Sequence, residues 1–570
     1  MPPHSVNQPN PAIVAQVAVK RLPRLALWLF CLAYILAGFV GRVPWKNADI
    51  SSFGYMLTLA VGNSDWWQPM LGGLLPEVPA LLPYWLGAWA ITLSPDGLSA
   101  DLAARVPFML LLALALIATW YGTYYLARSP LAQPVAFAFG GEAEPTDYAR
   151  ALADAGLLAM MACLGLAQLA HETTPALAQL CFTALLFYAA AALPYRPLIP
   201  GLAAAGGLLG LTLSGAPTVA LLLGLGSALI YLRESPLGDV TQKHRQLRAT
   251  GMAGMTLLCA LLAFELNLWR WSLELPMWSQ GDWPRLGRLF LWFTWPAWPL
   301  ACWTVWRWRH QLRSARLNSR HLWIPLWFVG VASATTLVTS AADRALLLAL
   351  PALATLAAFA LPTLSRSMGA LIDWFTLIFF SGCAIVIWVV WLSMQTGIPA
   401  KPALNVARLA PAFVHSFSPI TFVIALIATA AWAWLVFWRT GRHRAALWKS
   451  VVLPAGGAAL CWLLLMTLWL PLLDFARSYV PLVAQTTALM PQRPACVSTL
   501  GLSRGQIAAY TYHGELSLKP VIDVAECNWL LGDSAVLNYL SQTTDNWEFR
   551  GAVRHRGDPK EKLLLYQRQD

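Results

Sequence analysis

Charged residues are scarce in this chain. Asp, Glu, Lys and Arg make up 12% of its 570 residues and hydrophobic residues 58%, whereas about a quarter of a soluble protein is charged. So little charge cannot cover the surface of a soluble multi-domain enzyme of this size. The composition therefore predicts a polytopic, mostly α-helical membrane protein, whose apolar helices need no polar coat because lipid is their solvent.

Two further features are missing. No Asp-x-Asp motif occurs anywhere in the sequence, so an obligatory metal held by such a pair has no support. We predict no definite cofactor and leave a divalent cation open. No internal repeat is visible, which weakens the case for an inverted-repeat transporter.

Apolar stretches are what the sequence has in abundance. Thirteen of them predict membrane spans: 25–40, 103–127, 153–170, 176–193, 197–213, 216–232, 250–268, 289–306, 322–340, 345–362, 371–393, 418–438 and 449–472. With a cytoplasmic N-terminus, the inside segments hold 20 Lys and Arg and the outside loops between spans hold 9. The positive-inside rule favours that orientation. The net charge of +12 thus marks topology beside anionic lipid, and we expect no nucleic-acid partner.

An odd number of spans places the tail outside. We divide the chain into a membrane domain, 1–473, and a tail domain, 474–570. Alternating apolar runs at 496–500, 521–524 and 563–566 predict strands, with helices near 504–512 and 534–541, hence a small α/β domain. Seven of the nine cysteines lie in spans, and only Cys496 and Cys527 lie in the tail. This pair suits one disulfide in an oxidising compartment such as the bacterial periplasm, with two free thiols as the alternative.

The first loop, 41–102, carries the most informative pattern. Its short apolar stretches 50–61 and 81–93 predict helices that lie in the membrane interface. Around them stands a framework of acidic, aromatic, proline and glycine residues. In chain order it reads Asp49, Tyr55, Asp65-Trp66-Trp67-Gln68-Pro69, Gly72, Pro76-Glu77-Val78-Pro79, Tyr84-Trp85-Leu86 and Ala104-Arg105-Val106-Pro107.

This order and spacing resemble the first outer loop of the family-C (GT-C) glycosyltransferases, in the branch of protein O-mannosyltransferases and lipid A aminoarabinose transferases. The segment 340–352 resembles a second motif of that family, in which a basic residue lies near the donor phosphate. The resemblance implies an inner-membrane enzyme that transfers a sugar, with inversion, from a polyprenyl phosphate at the outer face. The acceptor would be a hydroxyl of a glycolipid such as lipid A, or of a protein.

The resemblance also assigns roles to residues. Asp49 matches the catalytic acidic position, where a carboxylate at a cleft takes the proton of the acceptor hydroxyl; the alternative is a helix cap. Glu77 would contact a metal or the substrate, or be a solvated loop carboxylate. The other expected roles are donor-phosphate contacts for Arg344, Arg105 and Lys46, with Arg270 and Arg285 as further candidates, and organisation of the loop for Asp65, Tyr55 and Tyr84.

Three positions depart from the family pattern. Ala48 replaces one acid of the usual pair, Val78 replaces the Lys of Glu-Lys-Pro-Pro, and Ala345 and Leu346 stand near a missing Tyr. Arg105 could instead extend its charged end to the membrane interface without binding phosphate. Arg344 could instead form only a salt bridge to Asp343. Two other classes of function therefore stay open: a lipid or glycan transporter, and a degenerate family member that serves as an assembly subunit.

Overall fold

Helices dominate the fold. The computed structural model describes residues 10–234, 242–269, 282–313, 319–339, 342–411, 413–440, 446–521, 525–542, 546–555 and 561–569. The helices of the first half are α1 (Arg24–Phe39), α2 (Ala48–Ala60), α3 (Leu82–Thr92), α4 (Ala100–Ala127), α5 (Pro145–Ala162), α6 (Leu164–Leu169), α7 (Pro175–Ala192), α8 (Leu198–Leu213), α9 (Pro217–Arg233) and α10 (Gln242–Glu265). Those that follow are α11 (Asp282–Phe293), α12 (Ala297–Arg307), α13 (Arg309–Leu312), α14 (Arg320–Leu337), α15 (Ala342–Leu347), α16 (Leu350–Ala360), α17 (Arg366–Thr396), α18 (Ala400–Leu409), α19 (Pro419–Thr440), α20 (Lys449–Leu465), α21 (Leu470–Arg477), α22 (Val480–Ala488), α23 (Arg504–Tyr512) and α24 (Ala535–Gln542).

Every predicted apolar span coincides with one helix or with two consecutive helices. Within the described ranges, five helices are long and apolar enough to cross a membrane: α4, α7, α10, α17 and α19. Helices α20 and α21 pass that test only together and are bent by 70° at their junction, while α1, α8, α9 and α16 are apolar but shorter. The number of thirteen spans stays a prediction.

Proline breaks two stretches that hydropathy alone presents as continuous. The predicted span 289–306 is divided into α11 and α12, with Pro296 as the residue before α12. The predicted span 345–362 is divided into α15 and α16, with Pro351 in the first turn of α16. Proline has no N–H to donate, so a position at the start of a helix costs it least. Helices α4, α14 and α20 nevertheless continue through an interior proline, at Pro107, Pro325 and Pro454.

The C-terminal part of the chain forms a five-stranded sheet. Its strands are β1 (Val497–Leu500), β2 (Leu518–Pro520), β3 (Trp529–Gly532), β4 (Trp547–Arg554) and β5 (Lys562–Arg568), in the order β2-β1-β3-β5-β4. Strand β1 is parallel to β2 and β3, and β5 is antiparallel to β3 and β4. The predicted strand 521–524 falls mostly outside the described residues. A disulfide links Cys496 and Cys527, which precede the neighbouring strands β1 and β3.

Helices α2 and α3 are the two short helices predicted in the first loop, and at 13 and 11 residues neither is long enough to span a bilayer. They pack against each other, and α2 also packs against α23 of the C-terminal domain. The contact is close because Gly54 has no side chain: a Cβ there would lie 2.5 Å from the Cβ of Ala508. Helix α2 is therefore held between the helical bundle and the C-terminal domain.

Candidate active site

A cavity of about 360 Å³ lies where the first loop, the bundle and the C-terminal domain meet, and we call it the cleft. Its wall is built from many short pieces of chain. They are Ala48, Ser51, Ser52 and Tyr55 of α2, Glu77–Pro79, Tyr84, Thr174–Ala176, Gln179, Gly215–Val219, Leu268, Trp269, Thr335, Val338, Thr339, Arg344, Ala345, Leu348 and Arg504. Most of this wall is apolar, and its charged side chains are two arginines and one glutamate.

The turn between α8 and α9 fixes the loop segment that carries Glu77. Leu81 N donates to the Leu213 carbonyl at 2.8 Å. Gly215 has a φ of +81°, and a Cβ at this position would lie 2.7 Å from Val78 Cγ1. A left-handed backbone and this close approach both require glycine. The cleft wall around Glu77 is thus set by packing from the bundle.

Among the predicted phosphate contacts that the structure describes, Arg344 is the one that lines the cleft. Its side chain is 31% exposed, and Nη2 lies 3.3 Å from Glu172 Oε2. The anticipated salt bridge to Asp343 is absent, because the Asp343 carboxylate instead accepts the backbone N–H of Arg344 at 2.9 Å. Arg344 Nε is buried and has no hydrogen-bond partner among the described residues. Arg344 therefore presents a cation with unused hydrogen-bonding capacity.

Glu77, Tyr55 and Tyr84 also line the cleft. The Glu77 side chain is 76% exposed, and its Oε1 lies 3.3 Å from Nη1 of Arg504. Tyr55 donates its hydroxyl to the Leu74 carbonyl at 3.1 Å, and its ring centre lies 5.3 Å from that of Tyr84. The two tyrosines thus connect α2, α3 and the Glu77 segment.

Asp49 is buried behind the cleft wall. Its Oδ2 accepts hydrogen bonds from Arg42 Nη2 at 2.7 Å and from Trp45 N at 3.1 Å. Its Oδ1 accepts two from Thr173, from N at 2.8 Å and from Oγ1 at 2.9 Å. The expectation that this carboxylate faces the cleft needs correction: the neighbouring residues Ala48, Ser51, Ser52 and Thr174 form the wall.

The surroundings of Asp49 stabilise its ionised form. Burial acts to raise the pKa of this carboxyl, but the charges of Arg42 and Arg105 and the N–H groups of Thr173 and Trp45 outweigh it, so the pKa is lowered. The helix-cap alternative does not hold, because α2 starts after Asn47 and no side chain caps it. The Asp49 carboxylate joins two loops of the protein.

Arg105 and Lys46 are not part of the cleft wall, which corrects their predicted placement. Arg105 is buried, pairs with Asp101 at 3.3 Å, and donates to the carbonyls of Phe39 and Arg42 at the end of α1. Lys46 Nζ lies 3.9 Å from Glu561 Oε2 of the C-terminal domain. Of the further candidates, Arg285 is exposed on α11 and outside the wall, and Arg270 lies outside the described residues.

Two other predicted residues have local surroundings. Asp65 Oδ1 accepts a hydrogen bond from Trp67 N at 2.8 Å, which closes a turn in the first loop. Glu77 belongs to no group of three or more His, Cys, Asp or Glu side chains, because none occurs in the part of the chain that the structure describes.

The sequence of this chain matches no protein-family model and no curated protein. Solved structures do match: that of ArnT from Cupriavidus metallidurans in the apo state superposes with a TM-score of 0.58 at 14% identity, over 95% of this chain and 98% of that one. The same protein bound to undecaprenyl phosphate gives 0.59 at 15% identity, with the same coverage. The chain has the fold of ArnT. The resemblance to the GT-C branch and the predicted fold class are thus confirmed at the level of the fold, and ArnT-like helices make this a polytopic membrane protein.

Sequence reasoning missed four charged or polar residues at or behind the cleft: Arg42, Glu172, Thr173 and Arg504. Two of them carry a usable signal, because His171-Glu172-Thr173-Thr174 is a polar run between two apolar spans. Ionisable residues at such a junction are expensive to bury and therefore call for a reason. Arg42 and Arg504 carry none, since only the fold brings them to Asp49 and to the cleft.

Proposed function

We propose that this protein transfers a sugar from a polyprenyl-phosphate donor to an acceptor hydroxyl, with inversion at the anomeric carbon. The observation that carries the proposal is the cleft: Arg344, with Nε as an unused donor, lines a mostly apolar wall beside the helix that bears Asp49. A lipid phosphate needs both parts, because a guanidinium binds phosphate and an isoprenoid chain is stabilised only by apolar walls or lipid. Undecaprenyl phosphate on the same fold in ArnT supports this class of ligand.

The reaction is a single displacement. The acceptor oxygen attacks the anomeric carbon, its proton passes to Asp49, and the bond from that carbon to the phosphate oxygen breaks. The bonding electrons leave with the polyprenyl phosphate, and Arg344 stabilises the charge that develops there. Ionised Asp49 is in the state that accepts a proton.

An acceptor hydroxyl must displace one partner of Asp49, since all four of the carboxylate's hydrogen-bond positions are filled. The bond from the Thr173 hydroxyl costs least to exchange, because this donor is neutral and can rotate to another acceptor, whereas the bond from Arg42 joins two opposite charges. Thr173 is followed directly by Thr174 in the cleft wall, so exchange at this point opens a path from the cleft to Asp49.

The surrounding assignments belong to the same proposal. We place the protein in the inner membrane of a bacterium, with its N-terminus in the cytoplasm and the tail domain 474–570 in the periplasm. The membrane domain 1–473 would hold the donor lipid. The disulfide of the tail domain supports an oxidising compartment.

Replacing Asp49 tests the proposal. Purified protein in detergent is given a radiolabelled polyprenyl-phosphate mannose or aminoarabinose, with lipid A or a membrane-protein extract as acceptor. We expect Asp49→Asn to lower transfer by about 100-fold or more, the usual scale of general-base catalysis. The matched control is Asp96→Asn, an exposed carboxylate of the same loop outside the cleft wall.

The outcomes separate the three classes of function. Transfer by wild type and by Asp96→Asn, with loss of transfer in Asp49→Asn that still binds undecaprenyl phosphate, supports the enzyme. Equal transfer by Asp49→Asn overturns the role of Asp49. Donor binding by wild type without any transfer points to an assembly subunit, and protein-dependent movement of the intact donor across vesicle membranes points to a transporter.

A further inference from the structure

Arg504 is the residue through which the C-terminal domain reaches the cleft. It begins α23, and its side chain crosses to the first loop, where Nε donates to the Leu75 carbonyl at 2.8 Å and Nη1 lies 3.3 Å from Glu77 Oε1. The side chain is 31% exposed and forms part of the cleft wall. Arg504 therefore adds a second guanidinium to the cleft. It comes from the C-terminal domain, whereas Arg344 comes from the helical bundle.

The position of Arg504 is set by packing and not by chance contact. The capping box of Ser503 and Gln506 satisfies the start of α23. In the first turn of α23, Gly505 lies against Ile50 of α2, and Ile507 lies against Gly72 of the first loop. A side chain that leaves such a fixed helix start loses little freedom on binding a ligand.

The present partner of Arg504 is one that a ligand could replace. Glu77 is 76% exposed, and a pair so open to solvent is weak and screened by salt. A phosphate is tetrahedral, but two of its oxygens can accept hydrogen bonds from one guanidinium as the two oxygens of a carboxylate do, here in a mostly apolar wall where charge interactions are stronger. Exchange of Glu77 for phosphate thus keeps the hydrogen bonding of Arg504 and increases its electrostatic gain.

We propose that Arg504 of the C-terminal domain is a second phosphate contact of the cleft, so that the lipid-phosphate site is complete only with that domain. The inference rests on the proposed function and extends it. A polyprenyl-phosphate sugar is a phosphodiester with one negative charge, whereas the departing monoester carries about −1.5 to −2. One arginine suffices for the single charge of the phosphodiester. A second arginine stabilises the charge that is added as the sugar leaves.

Direct binding of undecaprenyl phosphate to the full-length protein in detergent tests this inference without any need for turnover. We expect Arg504→Gln to weaken binding about tenfold or more, the scale of one lost charge-assisted hydrogen bond. The matched control is Arg493→Gln, which removes an arginine of the same domain that pairs with the exposed Glu515 away from the cleft. The control should bind within twofold of wild type.

A structural role for Arg504, as a clamp on the Leu75 carbonyl, predicts different results. Binding of undecaprenol, which has no phosphate, should be unchanged by Arg504→Gln if the residue contacts phosphate, and should fall equally if it is a clamp. Adding Val78→Lys to Arg504→Gln should restore part of the affinity, because Val78 lines the cleft next to Glu77. A clamp would not be replaced by that lysine.

Competition with inorganic phosphate tests whether Arg504 binds the phosphate of the lipid headgroup or only free phosphate. Displacement of undecaprenyl phosphate by millimolar phosphate in wild type, lost in Arg504→Gln, supports a headgroup site. Undecaprenyl phosphate binding by Arg504→Gln within twofold of wild type overturns the inference. Wild-type protein that binds the lipid through Arg504 but transfers no sugar would overturn the proposed function and leave this phosphate contact standing.

Discussion

Two ion-pair clusters lie close together in this molecule and differ in their access to solvent. In the sealed cluster, Arg42 and Asp49 pair at 2.7 Å with side chains 0% and 2% exposed. In the cleft cluster, Arg344 and Glu172 pair at 3.3 Å, and the arginine is 31% exposed. Among the described residues, both clusters leave arginine donors without partners, Arg42 Nε and Nη1 in the first and Arg344 Nε in the second, but only Arg344 lines the cleft.

This difference separates two tasks that one set of charges could not perform. A buried charge without its partner is costly, so the sealed cluster holds the first loop to the segment that carries Thr173. In the cleft cluster Glu172 is only 7% exposed, but the Arg344 end of the pair is partly exposed and can exchange this partner for a ligand. On the proposed function, the sealed cluster holds Asp49 in place and the cleft cluster binds the lipid phosphate.

Breaking the sealed cluster should have the largest effect. Arg42→Met leaves the buried Asp49 carboxylate without its closest cation, and we expect the free energy of unfolding to fall by about 3–5 kcal/mol. The measurement is denaturant-induced unfolding in detergent. Arg493→Met, which breaks an exposed pair, should cost about 0–1 kcal/mol.

A double variant sharpens the same comparison. Arg42→Met with Asp49→Asn removes both charges, and part of the lost stability should return because no unpaired charge remains buried. If Arg42→Met and Arg493→Met destabilise the protein equally, the sealed cluster contributes no more to stability than an exposed ion pair.

The contact between α2 and α23 should give the next largest effect. Gly54→Ala places a Cβ 2.5 Å from Ala508 Cβ, and overpacking of this kind costs about 1–3 kcal/mol. Because α23 carries Arg504, undecaprenyl phosphate should also bind several-fold more weakly. Gly330→Ala is the control, since no heavy atom of the described structure lies within 4 Å of a Cβ at that position.

Compensation makes the test specific. Adding Ala508→Gly removes the closest clashing atom and leaves Leu71 Cδ2 at 2.9 Å, the end of a flexible side chain that can shift. Lipid binding should therefore recover even though a glycine in a helix costs about 1 kcal/mol of its own. Binding that stays weak in the double variant would show that the spacing of α2 and α23 does not control the cleft.

Much of the fold could be predicted from the sequence. Long apolar runs report directly on helices, so each of the thirteen stretches contains helix, and the short stretches of the first loop became α2 and α3. Hydropathy did not predict two kinds of feature: the breaks between helices before Ala297 and Leu350, and the polar first turns of α10. Strands β2, β3 and β4 were missed: β2 and β3 have only three and four residues, and β4, although eight residues long, has few buried side chains.

The site was less predictable. The loop motif identified Glu77, Tyr55 and Tyr84, which do line the cleft, because these residues are close in sequence and share one loop. It placed Asp49, Arg105 and Lys46 there as well, although each is engaged elsewhere by residues distant in the chain, such as Thr173, Phe39 and Glu561. Spacing along one loop cannot report partners from other elements.

The smallest expected effect concerns the cleft cluster and depends on pH. Burial, and then the charge of Asp49, raise the pKa of Glu172 above its ordinary value, with Arg344 acting in the opposite direction. Above that raised pKa Glu172 is ionised and competes with phosphate for Arg344; below it the competition ends. Glu172→Gln should therefore bind undecaprenyl phosphate about two- to fivefold more tightly than wild type at pH 8.

The ratio of the two affinities should approach one as the pH falls through the raised pKa, because wild-type Glu172 then becomes neutral like the glutamine. Using the ratio cancels the ligand's own titration, since its phosphate gains a proton near pH 6 in both measurements. Stability should follow the same sign: a raised carboxyl pKa means that wild type loses stability relative to Glu172→Gln as the pH rises. A ratio that does not change with pH, or one shared by the exposed control Glu548→Gln, would mean that Glu172 does not compete for Arg344.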